Sequence, residues 1–398
     1  MNILLVTYDY PPKPIWGMGQ HVFNINLQLR KLGHAIKIVT VNRYNLLGTT
    51  DSDLIYNPCL GRVANNIKYQ TCTDKLSDKT CLDELYIVAK KKLTQQNFIP
   101  DIIHCHGWMM FETAYKLARF YDKPIISTLH FIEKQYESIS SHPKGEFLDK
   151  ILDKEKRQIT DSDSLICVSD YGYNLLNETY KKQYKKATII YHGIDTDGHT
   201  ISTIERKANK CINLIFVGRL VEEKGIQYLC EALDDAAFYG LVNLKIAGTG
   251  LLSESLLKKY GDKYTFLGYL EHPILFQHLQ TADYIVIPSI EEQFGLVAAE
   301  GMLLGAIPIA SRIGGLAYII KDEINGFMFD IDEDANGKLF IDIENFRNTI
   351  QKAIMYPKDK LKAIRKNNYY KVIEQYSNTV MIQKIIQAYQ ETINLYNH

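Results

Sequence analysis

Two glutamates separated by seven residues stand in the segment of this sequence with the most chemical potential. Glu292 precedes an apolar run with helical character, and Glu300 lies within that run. If the helix begins near Gly295, the free N–H groups of Phe294, Gly295 and Leu296 can bind phosphate or sugar oxygens. Glu300 would then lie about 7 Å along the helix axis from its start, at about 1.5 Å per residue. This separation suits a ligand with a sugar at one end and a ribose at the other, each hydrogen-bonded by a carboxylate.

Two cations follow the apolar run 212–217, which has the composition of a strand. Arg219 and Lys224 would lie at the carboxyl end of this strand, where ligands bind in open α/β sheets. Two cations in that position can hold a diphosphate and stabilise the charge that a leaving group gains. The alternative is a surface pair bonded to Glu222 or Glu223, and this segment alone leaves both readings open.

A glycine-containing loop precedes an amphipathic helix near the start of the chain. Gly17 and Gly19 stand between the first predicted strand and this helix, where backbone N–H groups can approach a phosphate closely. The alternative is a turn whose glycines serve backbone geometry alone. The helix is predicted to end at Gly33 and to present one apolar face, formed by Val22, Ile25, Leu29 and Leu32.

The elements that must position these residues follow an alternating pattern. Short apolar runs alternate with helical patterns, which predicts α/β architecture with parallel sheets covered by helices. The first half has predicted strands at 3–7, 36–41, 101–104, 125–129, 164–168 and 188–191. After a polar linker over 195–210 the pattern restarts, with strands at 212–217, 244–247, 265–266, 284–287, 307–310 and 326–329. No element is predicted between residues 44 and 82.

The composition limits the possible partners and compartments. Lys plus Arg and Asp plus Glu number 46 each, so no global field attracts nucleic acid or an anionic membrane. The seven cysteines contain no C-x-x-C pair, which fits neither a disulfide framework nor a structural zinc site and favours a reducing cytosol. With no basic leader and no apolar run of membrane-spanning length, we expect a cytoplasmic protein with at most peripheral contact at the inner face of the membrane.

Patterns that would indicate a metal site are weak. The pattern D-x-D begins at Asp51, Asp161 and Asp195, and three occurrences show how common it is. His104 and His106 would point to the same side of an extended strand, yet no third ligand is evident. We interpret this pair as structural or cleft-lining, and we expect neither a metal nor a cofactor.

The chain resembles glycosyltransferase family 4, the retaining glycosyltransferases of the GT-B architecture, over essentially its whole length. Several motifs in matching order carry the resemblance: Pro11–His21, Asp101–His106, Ser127–His130, Tyr191–Asp195, Gly218-Arg219 with Lys224-Gly225, Ala247–Gly250 and Glu292–Glu300. The resemblance implies two Rossmann-like doubly wound domains facing a central cleft. Residues 1–195 would form the acceptor-side domain and 210–375 the donor-binding domain, with a C-terminal helix over 376–398 packed back on the first.

The resemblance also implies roles for individual residues. Arg219 and Lys224 would bind the diphosphate of a nucleotide-sugar donor, Glu300 its ribose, and Glu292 the hydroxyls of the transferred sugar. The implied catalytic set is His130, Arg219, Lys224 and Glu292. The implied donor-binding set contains Gly17, Gly19, Arg219, Lys224, Gly248, Tyr269, Glu292, Phe294, Gly295, Leu296 and Glu300.

The expected activity is retaining transfer of a glucose-type hexose, from a UDP-linked donor, to a hydroxyl of a glycan, glycolipid, polysaccharide or small molecule. One position departs from the family loop, where Trp16 replaces the first of two adjacent glycines and Gly17 keeps the second. The bulky indole would alter the acceptor side of the cleft.

Three other classes of protein are alternatives to this activity. A sugar-nucleotide 2-epimerase shares the architecture but needs no acceptor, and an inactive nucleotide-sugar binding subunit would never release nucleotide diphosphate. An NAD-dependent dehydrogenase fits less well, because neither glycine loop spells G-x-G-x-x-G followed by a suitably spaced acid.

Overall fold

The computed structural model describes residues 1–10, 17–41, 53–57, 79–133, 145–200, 211–335 and 337–398. They form two compact units. Unit 1 comprises Met1–Gly193 together with Asn378–His398, and unit 2 comprises Ile194–Ser377. The sequence prediction puts the corresponding limits at 195 and 376. Four features of the sequence analysis lie outside the described residues, namely Pro11-Pro12, Trp16, Asp51 and the linker residues 201–210.

Unit 1 is built on a seven-stranded sheet in which all paired strands run parallel. Its strands are β1 (Asn2–Thr7), β2 (Ala35–Val41), β3 (Leu54–Asn57), β4 (Ile102–His106), β5 (Ile125–Leu129), β6 (Ser164–Cys167) and β7 (Ala187–Ile189). Their order across the sheet is β3-β2-β1-β4-β5-β6-β7. Strands β2 and β3 therefore extend the sheet on one side of β1, and strands β4 to β7 extend it on the other. This reversal places a topological switch point between β1 and β4.

Helices connect β1 to β2 and link each strand from β3 to β7 to the next, as parallel pairing requires. The first five are α1 (Gly17–Lys31), α2 (Lys79–Gln95), α3 (Phe111–Tyr121), α4 (Glu146–Asp161) and α5 (Asp170–Tyr180). Helix α1 buries Val22, Ile25 and Leu29 as predicted, whereas Leu32 lies beyond its end and is 55% exposed. The chain turns at Gly33, where the His34 N–H donates to the Leu29 carbonyl at 3.1 Å.

Unit 2 repeats this plan with a six-stranded parallel sheet. Its strands are β8 (Ile212–Val217), β9 (Val242–Ala247), β10 (Thr265–Gly268), β11 (Tyr284–Ile287), β12 (Ile307–Ser311) and β13 (Phe327–Phe329), and β14 (Asp332–Glu333) and β15 (Leu339–Phe340) form a separate antiparallel pair. The order across the main sheet is β10-β9-β8-β11-β12-β13. The switch point of unit 2 therefore lies between β8 and β11.

The helices of unit 2 are α6 (Ile226–Leu233), α7 (Ser253–Tyr260), α8 (His272–Thr281), α9 (Leu296–Leu303), α10 (Leu316–Ile319), α11 (Ile343–Ile354) and α12 (Lys358–Lys371). The central strands of both units are apolar on both faces. Residues Ile3–Val6 of β1 and all of β11 are buried, which is the pattern expected of parallel sheets.

Two regions of the chain differ from the sequence prediction. Strand β3 and the start of α2 fall in the region where no element is predicted, and β14 and β15 are also unpredicted. Each of these strands is at most four residues long. Strand β3 takes its register from its pairing with β2, in which Ile55 lies opposite Val39. A short strand that is specified by pairing with another segment shows little pattern in its own sequence.

The last helix, α13 (Asn378–Asn397), belongs to unit 1. Its Tyr389 is fully buried, and the Tyr389 hydroxyl lies 2.6 Å from Nδ1 of His104. Nε2 of His104 lies 2.7 Å from the Thr128 hydroxyl, so both ring nitrogens are bonded and the helix is tied to β4 and β5. No helix in the described part of the chain, α13 included, is long and apolar enough to cross a membrane.

Replacing Tyr389 with Phe is expected to lower the free energy of unfolding of unit 1 by about 1–3 kcal/mol, because Nδ1 of buried His104 loses its partner. Urea unfolding of the full chain, followed by circular dichroism, measures the effect. The matched control is Tyr396→Phe on the same helix, which removes a more exposed hydrogen bond to Asp122 and should change the value by less than about 0.5 kcal/mol. Equal effects of the two substitutions would contradict this account of how α13 is held.

Candidate functional site

The predicted cation and carboxylate of unit 2 meet at its switch point. Lys224 follows β8 and Glu292 follows β11, which are neighbouring strands. The Lys224 ammonium lies 2.8 Å from a carboxylate oxygen of Glu292, and their side chains are 24% and 21% exposed. The pair therefore spans the point at the carboxyl edge where open α/β sheets bind ligands.

Close backbone packing holds the two loops that carry this ion pair. A Cβ atom added at Gly225, whose φ is +67°, would lie 1.8 Å from the carbonyl oxygen of Pro288. The Ile290 N–H donates to the carbonyl of Glu223 at 3.0 Å. Only glycine permits this approach at this backbone angle, so Gly225 sets the spacing between the loops.

The loop after β9 reaches the same edge in a similar way. A Cβ atom added at Gly248, whose φ is +136°, would lie 1.8 Å from the carbonyl oxygen of Gly218. The Gly248 N–H donates to the Gly268 carbonyl at 2.7 Å. Three successive strand ends of unit 2 are thus joined through backbone contacts, and Tyr269, the next residue, is 64% exposed.

Arg219 is the second predicted cation of this edge. It directly follows Gly218 and is exposed. Within the described residues its side chain forms no ion pair, whereas Lys224 is paired with Glu292. Of the two predicted cations, Arg219 thus lacks an ion pair within the described residues, and Lys224 is held by a predicted ligand-binding carboxylate.

Helix α9 begins where the sequence predicted. Gly295 stands at its N-cap with φ 103°, and the helix starts at Leu296. Amides at this end have no acceptor within the helix. Phe294 is buried and its ring packs edge-on against Tyr376, with centroids 5.6 Å apart. This aromatic contact anchors the loop that places Glu292 and the start of α9 at the carboxyl edge of the sheet.

Glu300 lies further along α9 and has a partner that the sequence analysis did not consider. An oxygen of Glu300 lies 2.9 Å from Nε2 of His272, the first residue of α8. Burial alone would lower the pKa of His272, but the hydrogen bond to Glu300 and the charges of Glu300 and Asp195 raise it above its ordinary value. The Glu300 side chain is only 13% exposed, so this contact holds its carboxylate in place.

The predicted residues of unit 1 lie beside a group of buried histidines. We call His21, His104, His106, His130 and His192 the histidine cluster; all are at most 7% exposed. The ring centroids of His21 and His130 are 5.3 Å apart, and those of His21 and His192 are 4.3 Å apart. Gly17 is the exposed first residue of α1, and buried Gly19 lies two residues before His21.

The cluster is uncharged at neutral pH. Burial lowers the pKa of His104 and of His192 to about 3. Burial also lowers the pKa values of His21, His106 and His130 well below the usual range, and neighbouring histidines lower them further. Five neutral rings thus line one region of unit 1, where they can exchange hydrogen bonds or bind a ligand through nitrogen lone pairs.

The D-x-D patterns have structural partners where they are described. Asp163 accepts a hydrogen bond from the Ile125 N–H at 2.9 Å and pairs with Lys185 at 2.7 Å. Asp53 pairs with Lys37 at 2.6 Å. These contacts agree with the interpretation that the pattern is incidental.

Known sequences match the chain in both units. The family described as "Glycosyltransferase Family 4" matches residues 15–198, and "Glycosyl transferases group 1" matches residues 211–342. The chain belongs to glycosyltransferase family 4. It is 29% identical to glycogen synthase of Mycobacterium tuberculosis strain H37Rv over 346 residues, which cover 82% of this chain and 81% of that protein.

Solved glycosyltransferase structures share the fold of this family member. Sucrose-phosphate synthase from Thermosynechococcus elongatus matches with a TM-score of 0.79 and 19% identity, covering 98% of each chain. Anabaena HepE in complex with UDP-glucose matches with a TM-score of 0.64 and 16% identity, covering 98% of this chain and 100% of that one. These similarities confirm the GT-B fold.

Sequence reasoning did not identify three histidines of this glycosyltransferase. His21 interrupts the apolar face of α1, and a histidine on such a face was the available signal. His192 lies inside the motif Tyr191–Asp195 without a role of its own. Nothing in the sequence around His272 indicates a role, because only the packing of α8 against α9 brings His272 to Glu300.

A titration of the His272 imidazole by NMR should give a pKa above its ordinary 6.5. In Glu300→Gln the pKa should fall, because the carboxylate charge is lost. A raised folded-state pKa means that the pair stabilises unit 2 fully at pH values below the unfolded pKa, and that this contribution is lost as the pH rises through the folded pKa. His278, whose pKa burial lowers, is the internal control and should be unaffected. An unchanged His272 titration in the variant would rule out this coupling.

Proposed function

We propose that this glycosyltransferase transfers a glucose-type hexose from a UDP-linked sugar to an acceptor hydroxyl, with retention of the anomeric configuration. The observation that carries the proposal is the meeting of Lys224 and Glu292 at the switch point of unit 2, 2.8 Å apart, beside exposed Arg219. A cationic group for a diphosphate and a carboxylate for sugar hydroxyls are thus adjacent at an edge suited to ligands.

The two cations are proposed to bind the donor diphosphate. Glu292 neutralises Lys224 in the structure, and Arg219 is exposed. A bound diphosphate would offer Lys224 a stronger anionic partner, leaving the Glu292 carboxylate to accept hydrogen bonds from sugar hydroxyls. The amides of Gly295 and Leu296 at the start of α9 would add donors to the phosphate or sugar oxygens.

Glu300 is proposed to hold the ribose of the nucleotide. Its carboxylate is fixed by His272 on the same helix whose start lies next to Glu292. Gly248 and exposed Tyr269 follow the next strands of the sheet, and we assign them to the border of the base. His130 of unit 1 is assigned to the transferred sugar, and Gly17 and Gly19 to the donor phosphates, as the family resemblance implies.

The proposed reaction begins with cleavage of the C–O bond between the sugar and the phosphate. Arg219, Lys224 and the α9 amides stabilise the leaving diphosphate as it gains charge. The acceptor hydroxyl then attacks from the same face and gives its proton to the departing phosphate oxygen, so the configuration is retained. An enzyme-bound sugar on a carboxylate is less favoured, because Glu292 is assigned to hydrogen bonds with the sugar hydroxyls and no other described residue of the site is an evident nucleophile.

The acceptor is proposed to be a hydroxyl of a glycan, glycolipid, polysaccharide or small molecule. Glycogen synthase of Mycobacterium tuberculosis, by its name, builds a polysaccharide. The balanced charge and the buried thiols of Cys105, Cys167 and Cys230 support placement in the cytoplasm, with at most peripheral contact at the inner membrane face. Neither a metal nor a cofactor is proposed for the transfer.

Lys224→Gln and Arg219→Gln should each lower kcat by about 10²–10³-fold, because each removes one charge contact to the leaving diphosphate. Release of nucleotide diphosphate at saturating donor and acceptor measures the effect. Lys263→Gln is the matched control. Lys263 is ion-paired with Asp234, but it precedes β10 and so lies at the amino edge of the sheet. A wild-type rate in either site variant, with normal circular dichroism, would refute the phosphate assignment.

A panel of UDP-, GDP- and ADP-sugars, assayed with and without chelator, should give acceptor-dependent release of one nucleotide diphosphate that resists the chelator. NMR of the first-formed product should show the anomeric configuration of the donor. An inverted product would refute the proposed mechanism. Conversion of the donor sugar without any acceptor would indicate a 2-epimerase, and donor binding without turnover over a broad acceptor set would indicate an inactive binding subunit.

A further inference from the structure

His272 joins helices α8 and α9 at the carboxylate that is assigned to the ribose. It is the first residue of α8, and its Nε2 lies 2.9 Å from Oε1 of Glu300 on α9. The ring of Phe276, one turn further along α8, has its centroid 4.3 Å from that of His272. The imidazole therefore contacts a carboxylate on α9 and an aromatic ring on its own helix, and these two contacts fix its position.

We propose that His272 is a positioning residue, which holds the Glu300 carboxylate for the ribose hydroxyls and makes the affinity for the donor depend on pH. This inference rests on the proposed assignment of Glu300 to the ribose. A protonated ring donates a charge-assisted hydrogen bond to the carboxylate, whereas a neutral ring donates a weaker one, and only when its proton is on Nε2. Glu300 is therefore held most firmly when His272 is protonated.

Glu300 has no second cation that could take over from His272. Its side chain is 13% exposed, and no lysine or arginine in the described part of the chain forms an ion pair with it. A carboxylate with so little access to water requires a partner. When the hydrogen bond weakens, the carboxylate can leave its bound position, and part of the binding free energy of the donor is then spent on ordering it again.

The contact with His272 leaves room for the ribose. A carboxylate has about four lone-pair sites on its two oxygens, and His272 is bonded to Oε1 alone. The remaining sites suffice for the two hydroxyls of a ribose. The imidazole and the ribose therefore bind the same carboxylate together, and a firmer bond from His272 favours the donor rather than displacing it.

The charged groups that face the ring favour its protonated form. They are Glu300 on α9 and Asp195, which precedes β8. Burial opposes a charge on His272, but the hydrogen bond to Glu300 and the charges of Glu300 and Asp195 raise the pKa of His272 above its ordinary value. His199, the other histidine on this side, contacts Phe276, with ring centroids 5.4 Å apart. The affinity for the donor is therefore highest below the pKa of His272 and falls as the pH rises through it.

The test is calorimetric titration of the full chain with UDP-glucose, GDP-glucose and ADP-glucose, from about pH 5 to about pH 8. Both phosphates of a nucleotide sugar are esterified, so the charge of the ligand stays constant over this range. The wild-type affinity for the nucleotide sugar that binds should fall about 5–10-fold as the pH rises. His272→Gln should give a flat profile at the weaker affinity. His272→Arg, which supplies a permanent cation, should give a flat profile at higher affinity than His272→Gln.

His278→Gln is the matched control on the same helix. Burial lowers the pKa of His278, and this variant should keep the wild-type pH dependence. A pH dependence that persists in His272→Gln would overturn this inference and leave the proposed function intact. Failure of all three nucleotide sugars to bind the wild type at any pH would instead refute the proposed function, and this inference with it.

Kinetics distinguish positioning of Glu300 from a general structural role. Near pH 6, where the charge of a histidine is large, His272→Gln should raise the donor KM about 5–10-fold and leave kcat within about twofold, because the affected contact is to the ribose and not to the reacting bond. A donor with a 2′,3′-dideoxyribose lacks the hydroxyls that Glu300 binds, so the variant and the wild type should bind it equally. An undiminished difference with the dideoxy donor would show that His272 does not act through Glu300 on the ribose.

A measurement on the unmodified chain does not depend on the folding of any variant. If protonation of His272 strengthens donor binding, then the donor must raise the pKa of His272 by the same coupling. NMR titration of the His272 imidazole, with and without a saturating amount of the nucleotide sugar that binds, should show this rise. The same pKa in both titrations would overturn the inference.

Discussion

Parallel strand pairing is the constraint on which both units depend. Because each strand must be followed by a crossover before the next can pair in the same direction, every carboxyl end points to one edge, and the helices cover both faces. The first strand of each unit, β1 or β8, ends up central, with later strands added on either side. This strand order creates the switch point, where the loops that follow the two central strands diverge and leave a crevice.

The loops at the unit 2 edge show how backbone shape and charge act together. Gly225 and Gly248 allow carbonyls of neighbouring loops to approach, so the strand ends form a fixed frame. Onto that frame Lys224 and Glu292 bring opposite charges that satisfy each other in a partly buried position. A ligand that supplies both an anion and hydroxyls can replace that contact on both sides, because the anion pairs with Lys224 and the hydroxyls donate hydrogen bonds to Glu292.

The long, buried strands and the helix start at Gly295 were predictable from the sequence, because their signals are local: apolar runs, turn residues and a glycine at the cap. The strand β3 was not, since its register depends on β2, and neither was the pairing of Glu300 with His272, since it depends on how α8 packs against α9. The histidine cluster shows the same limit. Its members come from four separate segments of the chain, and no spacing within any one segment indicates that they meet.

The return of α13 to unit 1 means that unit 2 is an insertion within unit 1. Ile194 and Ser377, the first and last residues of unit 2, form a β-bridge, so this continuous segment closes on itself. Unit 1 lacks the helix that carries Tyr389 until residues 378–397 are made. During synthesis, therefore, the second unit can complete its core first, and the N-terminal unit, which in most two-domain proteins folds first, must wait for α13.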